Sequence, residues 1–302
     1  MLARSASVLL TLTWAMVGAV ACAPDSGRRS PPVVVGSTPD RGSVLLADVY
    51  VAALRSYGFA ARSETATDPM ATLDSGAFTI VPAFTGATLR ALQPGADVTD
   101  KAVPTQVVPE QPSPGKGVYR AMIAALPEGI AAGDYAIDVE DKPALALTQA
   151  TAAAWGGRDL SELPARCTGL LTGAVRGHPG PRPPETVGSC RLPQPREFLD
   201  DAAMFAALRA GDLTAAWTST ADAGIPADVV VLADASPVLI RAENLVPLYR
   251  RNALTEMQLL AVNQVAGVLD TAALVDMRGR VAGGADPQAV ADAWLGDHPL
   301  GR

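Results

Sequence analysis

The chain has 302 residues, 49% of them apolar and 18% charged, and a net charge of −7. That length suits two lobes of ordinary domain size, each burying its own core, and the composition excludes general disorder. No long basic run accompanies the acidic balance, which argues against nucleic acid as a partner.

In chain order, "MLARSAS" offers one positive charge and "VLLTLTWAMVGAVA" (Val8 to Ala21) is an uncharged run. It is short for a membrane span and has the length of a secretory h-region. The run ends at "AVAC", which resembles a bacterial lipobox, so residues 1–21 are expected to be a signal peptide and Cys22 the lipidated new N-terminus. A plain signal peptide, with Cys22 incidental, is the alternative. Several acyl chains would hold the protein stably at a membrane surface. "APDSGRRSPP" would then be a tether, residues 22–32 with the cysteine.

The body opens with the strand "PVVVGS" and the helix "SVLLADVYVAALRSYG", whose apolar residues fall at helical spacing. "FAARSE" is expected as a strand, "DPMATLDSG" as a helix between proline and glycine, "FTIV" as a strand stopped by Pro82, and "GATLRAL" as a helix. Strand and helix thus alternate as in a parallel sheet covered by helices. Residues 93–116 are proline-rich and loop-like, "VYRAMIAAL" is helical, and "DYAIDV" and "ALALT" are expected as strands around "EDKP". The middle repeats the rhythm with "REFLDDAAMFAALRAGD" as helix and "LTAAW" and "DVVVLAD" as strands. Three helices, "TEMQLLAVNQVAGVL", "TAALVDMRGRVA" and "DPQAVADAWL", end the chain.

Setting Cys22 aside leaves Cys167 and Cys190, flanking a Gly- and Pro-rich stretch. Outside the reducing cytoplasm a structural disulfide is expected; a metal or redox pair would want CxxC spacing or nearby histidines. One internal echo stands out. "LDSGAFTIVPAFT" (Leu73 to Thr85) and "LRAGDLTAAWTST" (Leu208 to Thr220) align without gaps. Helix–Gly–strand joints recur in any α/β protein, but two similar lobes would also read this way, each presenting a strand end to a shared cleft where open sheets bind ligands.

Catalytic signals are sparse. The two histidines, His178 in a Gly/Pro-rich loop and His298 near the end, lack Cys, Asp or Glu at metal-ligand spacing. No phosphate-loop, dinucleotide or nucleophile-elbow motif occurs. Asp200 and Asp201 are expected on a solvated helix surface. No enzyme, metal or cofactor is expected. Thr38 and Ser43 lie between the first strand and its helix, where unpaired N–H groups attract polar ligand atoms; Ser43 can equally be a simple N-cap.

Taken together, "VVVGSTPDRGSVLLADVYVAALRSYGF", "LDSGAFTIVPAFTGATL", "LRAGDLTAAWTSTADAGI", "DVVVLAD", "NLVPLYRRNAL" and "DPQAVADAWL" resemble, in order and spacing from about Val33 to Leu295, the glycine betaine/carnitine/choline substrate-binding proteins of ABC importers. The resemblance implies an α/β, two-lobed, type II periplasmic-binding-protein fold, each lobe a mostly parallel sheet flanked by helices. Lobe 1 would hold residues 33–138 and 239–302 and lobe 2 residues 139–238, with "EDKP" and "SPVLIRAEN" as the hinge crossings. It further implies a monomer that binds a small organic solute outside the cytoplasm, anchored by its lipid to the cell membrane, and serves permease and ATPase subunits.

The family cages a quaternary ammonium among tyrosines. Its cage tyrosine before "TG" matches Phe84, another falls on Pro143, and an aromatic falls near Glu243. A ligand-binding glutamine falls near Ser43, and the threonine after the cage aromatic is kept as Thr85. Trp217 lies two residues before the family's second-strand aromatic. The candidate ligand contacts are therefore Thr38, Ser43, Phe84, Thr85, Trp217, Ser219 and Glu243. Glu243 is either an attractor of cations or a solvated hinge-loop charge. An uncharged or aromatic solute stacked between Phe84 and Trp217 competes with the quaternary amine, as does a sensor or adaptor that no longer transports.

Overall fold

A computed structural model describes residues 31–95, 115–177, 180–235 and 238–301. The signal segment, Cys22, most of the tether, most of the loop over residues 93–116 and His178 lie outside the described residues.

The chain starts with β1 (Val33–Ser37), α1 (Arg41–Ser56), β2 (Ala61–Thr65), α2 (Pro69–Ser75), β3 (Ile80–Phe84) and α3 (Thr85–Leu92), then α4 (Lys116–Ala125) and β4 (Ile130–Ala132). It continues with β5 (Pro143–Thr148), α5 (Gln149–Trp155), a 3₁₀ turn over Leu160–Arg166, and β6 (Thr172–Val175). After the small hairpin β7 (Thr186–Val187) and β8 (Cys190–Arg191) come β9 (Arg196–Phe198), α6 (Asp201–Ala210), β10 (Ala215–Ser219) and β11 (Val229–Val231). The chain closes with β12 (Leu245–Arg250), α7 (Glu256–Gln264), α8 (Thr271–Ala282) and α9 (Pro287–Asp297).

Two five-stranded sheets result, ordered β2-β1-β3-β12-β4 and β11-β5-β10-β6-β9. Both are mixed. The βαβ units give parallel pairs, β1 with β2 and β3, and β6 with β9 and β10. The strand that enters each sheet from the other, β5 or β12, runs antiparallel to both its neighbours.

α1 is buried all round over Leu45–Leu54, since sheet one covers one face and α7, α8 and α9 cover the rest. Below sheet two a second core gathers Leu145, Leu147, Trp155, Leu160 and Trp217. Cys167 and Cys190 are bonded as expected, with Cα atoms 5.6 Å apart. Among the described residues no single helix is long and apolar enough to cross a membrane.

Among the expected boundaries that move, three do so for a plain physical reason. The strand at "FTIV" does not stop at Pro82 but runs on to Phe84. Pro82 faces Pro247 across the β3–β12 ladder. Neither has an N–H, so together they fill the pair position that an antiparallel ladder leaves without hydrogen bonds. "DYAIDV" is irregular, and the strand lies earlier, at β4. The Asn244 amide holds the carbonyls of Ala136, Ile137 and Val139, taking the place of a ladder partner. The helix expected from Arg196 starts at Asp201, after β9. Asp200, exposed as expected, is also its N-cap, accepting from the Ala203 amide at 2.8 Å.

The internal echo is structural. α2 and α6 each end on a left-handed glycine, Gly76 (φ 89°) and Gly211 (φ 81°), and each leads into a strand, β3 or β10. At the far end of each strand a threonine clamps one crossing between the sheets. Thr85 N–H donates to the Asn244 carbonyl (3.0 Å), and its hydroxyl accepts from Asn244 N–H (3.1 Å) and donates to the Ala242 carbonyl (3.4 Å). Thr220 repeats the pattern on Lys142 (3.0 Å each way) and the Glu140 carbonyl (2.8 Å).

Candidate functional site

β1, β3 and β10 point their carboxyl ends at one cavity of about 960 Å³, lined from both sheets and closed behind by Asp141 and Glu243 of the crossings. Open α/β sheets present their ligand sites at this end.

The β1–α1 turn forms one wall. Asp40 caps α1, its Oδ1 accepting from Ser43 N–H at 2.9 Å, while the Thr38 hydroxyl donates to Oδ2 at 2.6 Å. Ser43 is thus the residue whose amide is capped, not the cap, and both Thr38 and Ser43 line the cavity. Ser37, at the end of β1, lines it too; its Oγ is buried without a hydrogen-bond partner.

The β3–α3 junction forms the next wall. Phe84 stands at the N-cap position with no side-chain oxygen to cap α3. Glu243 does this from 156 residues away: its Oε2 accepts from Ala87 N–H at 2.6 Å and its Oε1 pairs with Arg90 Nη2 at 2.6 Å. The residue is fully buried, so its reading as a solvated hinge-loop charge is corrected. Burial pushes its carboxyl up, outweighing the downward pull of Arg90 and the Ala87 amide. Gly86 makes room for it, because a Cβ there would lie 2.6 Å from the Ala242 carbonyl oxygen and 2.7 Å from Glu243 Oε1.

From sheet two, Ser219 lines the cavity beside Ala221, Asp222 and Gly224. Asp222 accepts the Thr218 hydroxyl. At the back, Arg278 of α8 pairs with Asp141 Oδ2 at 2.8 Å and donates to the Ala221 carbonyl at 2.9 Å.

Of the expected contacts, Thr38, Ser43, Phe84, Ser219 and Glu243 therefore come together around the cavity. Trp217 does not: it is 5% exposed and packed in the core of sheet two. β10 runs two residues further than "LTAAW", so Trp217 sits mid-strand with its ring on the covered face. Thr85 is fully buried and spends its hydroxyl on the crossing. Asp40, Asp141, Asp222 and Arg278 were not singled out from the sequence. Asp40 had a signal, an aspartate just ahead of a helical pattern; Arg278 had none. Among the described residues no three His, Cys, Asp or Glu gather as metal ligands.

A family model described as the substrate binding domain of ABC-type glycine betaine transport systems matches residues 31–297. Among solved structures, that of a glycine betaine/carnitine/choline ABC transporter superposes with a TM-score of 0.66 at 16% identity, covering 88% of this chain and 98% of that one. Apo YehZ from Escherichia coli gives 0.63 at 16% identity, over 89% and 99%. A choline-binding protein of an ABC transporter, in complex with choline, gives 0.52 at 15%, over 89% of each. At such identities the likeness speaks for the fold, the two-sheet α/β architecture of type II periplasmic binding proteins. No curated protein matches the sequence.

Proposed function

The chain belongs to the family of substrate-binding domains of ABC-type glycine betaine transport systems, and from that premise we infer that it captures a small organic solute between its two sheets and hands it to the permease of an importer. The observation that carries this is the cavity at the carboxyl ends of β1, β3 and β10, lined from both sheets with the crossings at its back. On this reading residues 33–138 and 239–302 form one lobe and 139–238 the other; the strands of sheet one fall in the first range and those of sheet two in the second, which supports the division. The protein works as a monomer outside the cytoplasm, tied to the membrane through a lipid on Cys22. It carries out no bond chemistry. Its task is selective binding, and closure of the lobes presents the loaded form to the permease.

Isothermal calorimetry and thermal-shift measurement against a broad solute library, including glycine betaine, choline, carnitine and proline betaine, test the reading. A specific solute is expected to bind one per chain and to raise the melting temperature by mass action. A library without a single binder would overturn it.

A further inference from the structure

The charges of the cavity wall narrow the solute, given that solute binding is the function. Six carboxylates and two guanidiniums line the cavity. Neither guanidinium stands open inside it: Arg278 is held by Asp141 and the Ala221 carbonyl, and Arg41, on the exposed rim, donates to the Ala285 carbonyl at 2.6 Å. Helix N-termini are the ordinary anion receptors of such folds. Here the four whose first turns line the cavity are already capped by the chain's own carboxylates, Asp40 on α1, Asp68 on α2, Glu243 on α3 and Asp200 on α6. Among the described lining residues carboxylates outnumber guanidiniums by six to two, so a solute carboxylate faces charge of its own sign.

A cation is favoured, and its kind can be specified. A quaternary ammonium has no N–H and relies on aromatic faces, yet Phe84 is the one ring among the described lining residues. The wall instead holds two buried oxygens without partners, the acceptor Asp141 Oδ1 and the hydroxyl Ser37 Oγ, on residues 3% and 4% exposed. Buried oxygens of this kind are satisfied by a ligand that brings hydrogens. The charge-assisted bond from an ammonium N–H to a carboxylate is among the stronger ones. We propose that the solute is a protonated primary or secondary amine without a carboxylate, recognised by Asp141 and Ser37 rather than by an aromatic cage.

The test is calorimetry on the purified full-length chain with putrescine, spermidine and phenethylamine, the N-permethylated form of each, 4-aminobutyrate, choline and glycine betaine. At least one amine should bind, with its permethylated form and 4-aminobutyrate at least tenfold weaker. Asp141→Asn should weaken that amine at least tenfold, and Ser37→Ala, which leaves the Arg278 pair intact, several-fold. Tighter binding of choline or glycine betaine than of every amine would overturn the assignment. So would an amine whose affinity ignores both variants, or a silent panel while some neutral solute binds; each of these leaves solute binding standing. Silence across the broad library as well would overturn both.

Discussion

Gly86→Ala separates two explanations of one glycine. Gly86 lies in the first turn of α3 with ordinary helical backbone, so helix propensity alone predicts that alanine stabilises by about 1 kcal/mol. The structure predicts the reverse. The added Cβ would stand 2.6 Å from the Ala242 carbonyl oxygen and 2.7 and 2.8 Å from Oε1 and Cδ of Glu243. The carboxylate is the part that can give way, and moving it uncaps Ala87, at about 1 kcal/mol. It also loosens a charged hydrogen bond of a buried group, at about 1.5–3 kcal/mol. Set against the propensity gain, the net loss is about 2 kcal/mol, which for a chain of this size lowers the melting temperature by about 3–4 °C. Differential scanning calorimetry reads this directly. In a Glu243→Ala background two of the three close atoms are absent, so the same substitution should cost about 1 kcal/mol less, a coupling a double-mutant cycle resolves. A Gly86→Ala protein as stable as the wild type, or a cycle without coupling, would refute the account of how Glu243 is seated.

Three further outcomes are expected. Asp48 is 3% exposed inside α1, with Oδ1 unpartnered, and burial pushes its carboxyl up. A raised acid is fully tolerated below its unfolded value and costs stability as pH rises through its folded value, so Asp48→Asn should melt a few degrees higher near neutral pH. That advantage should vanish on acidification; an advantage independent of pH would contradict the assignment. Opening the Cys167–Cys190 bridge, which spans 23 positions, should cost about 3 kcal/mol by loop entropy, visible as a lower urea midpoint in reductant and absent in the double serine variant. Thr220→Val removes the hydroxyl that holds Lys142 and Glu140, leaves a buried amide unpaired and should destabilise by about 1–3 kcal/mol; Thr85→Val should match it if the two clamps are equivalent, and a large disparity in calorimetry would show that they are not.

The architecture was readable because it is written locally. Apolar residues at helical spacing, Pro69 at the start of α2 and a glycine after it are decided within a few residues. Pro82 misled because its partner, Pro247, is 165 positions on and only the paired ladder shows that the two excuse each other. The cavity wall was legible in outline, since strand ends and helix starts face it in any such sheet, and Phe84, Thr38 and Ser43 followed from that. Which way each side chain points was not. Trp217 turned inward because β10 ends two residues later than its apolar run suggested. Glu243 looked like a loop charge because α3, which it caps, is remote in sequence. The echo that aligned Thr85 with Thr220 held the second clamp in plain view, but its meaning needed the crossings.

Those clamps leave very little backbone free to turn. In the first crossing, Val139 is fixed to sheet one by Leu245 N–H and the Asn244 amide, and Lys142 is fixed to sheet two by Thr220. In the second, Ile240 is held by Asp234 and Ala242 by Thr85. Between these anchors lie only Glu140 and Asp141 on one side and Arg241 on the other, and the two spans are themselves stitched by Asp141 N–H on the Glu243 carbonyl at 2.9 Å. Two short pins set side by side make an axle rather than a ball joint. On the reading that the sheets close on a solute, they would swing like a door about one line, since twisting or sliding would have to tear a threonine from its strand.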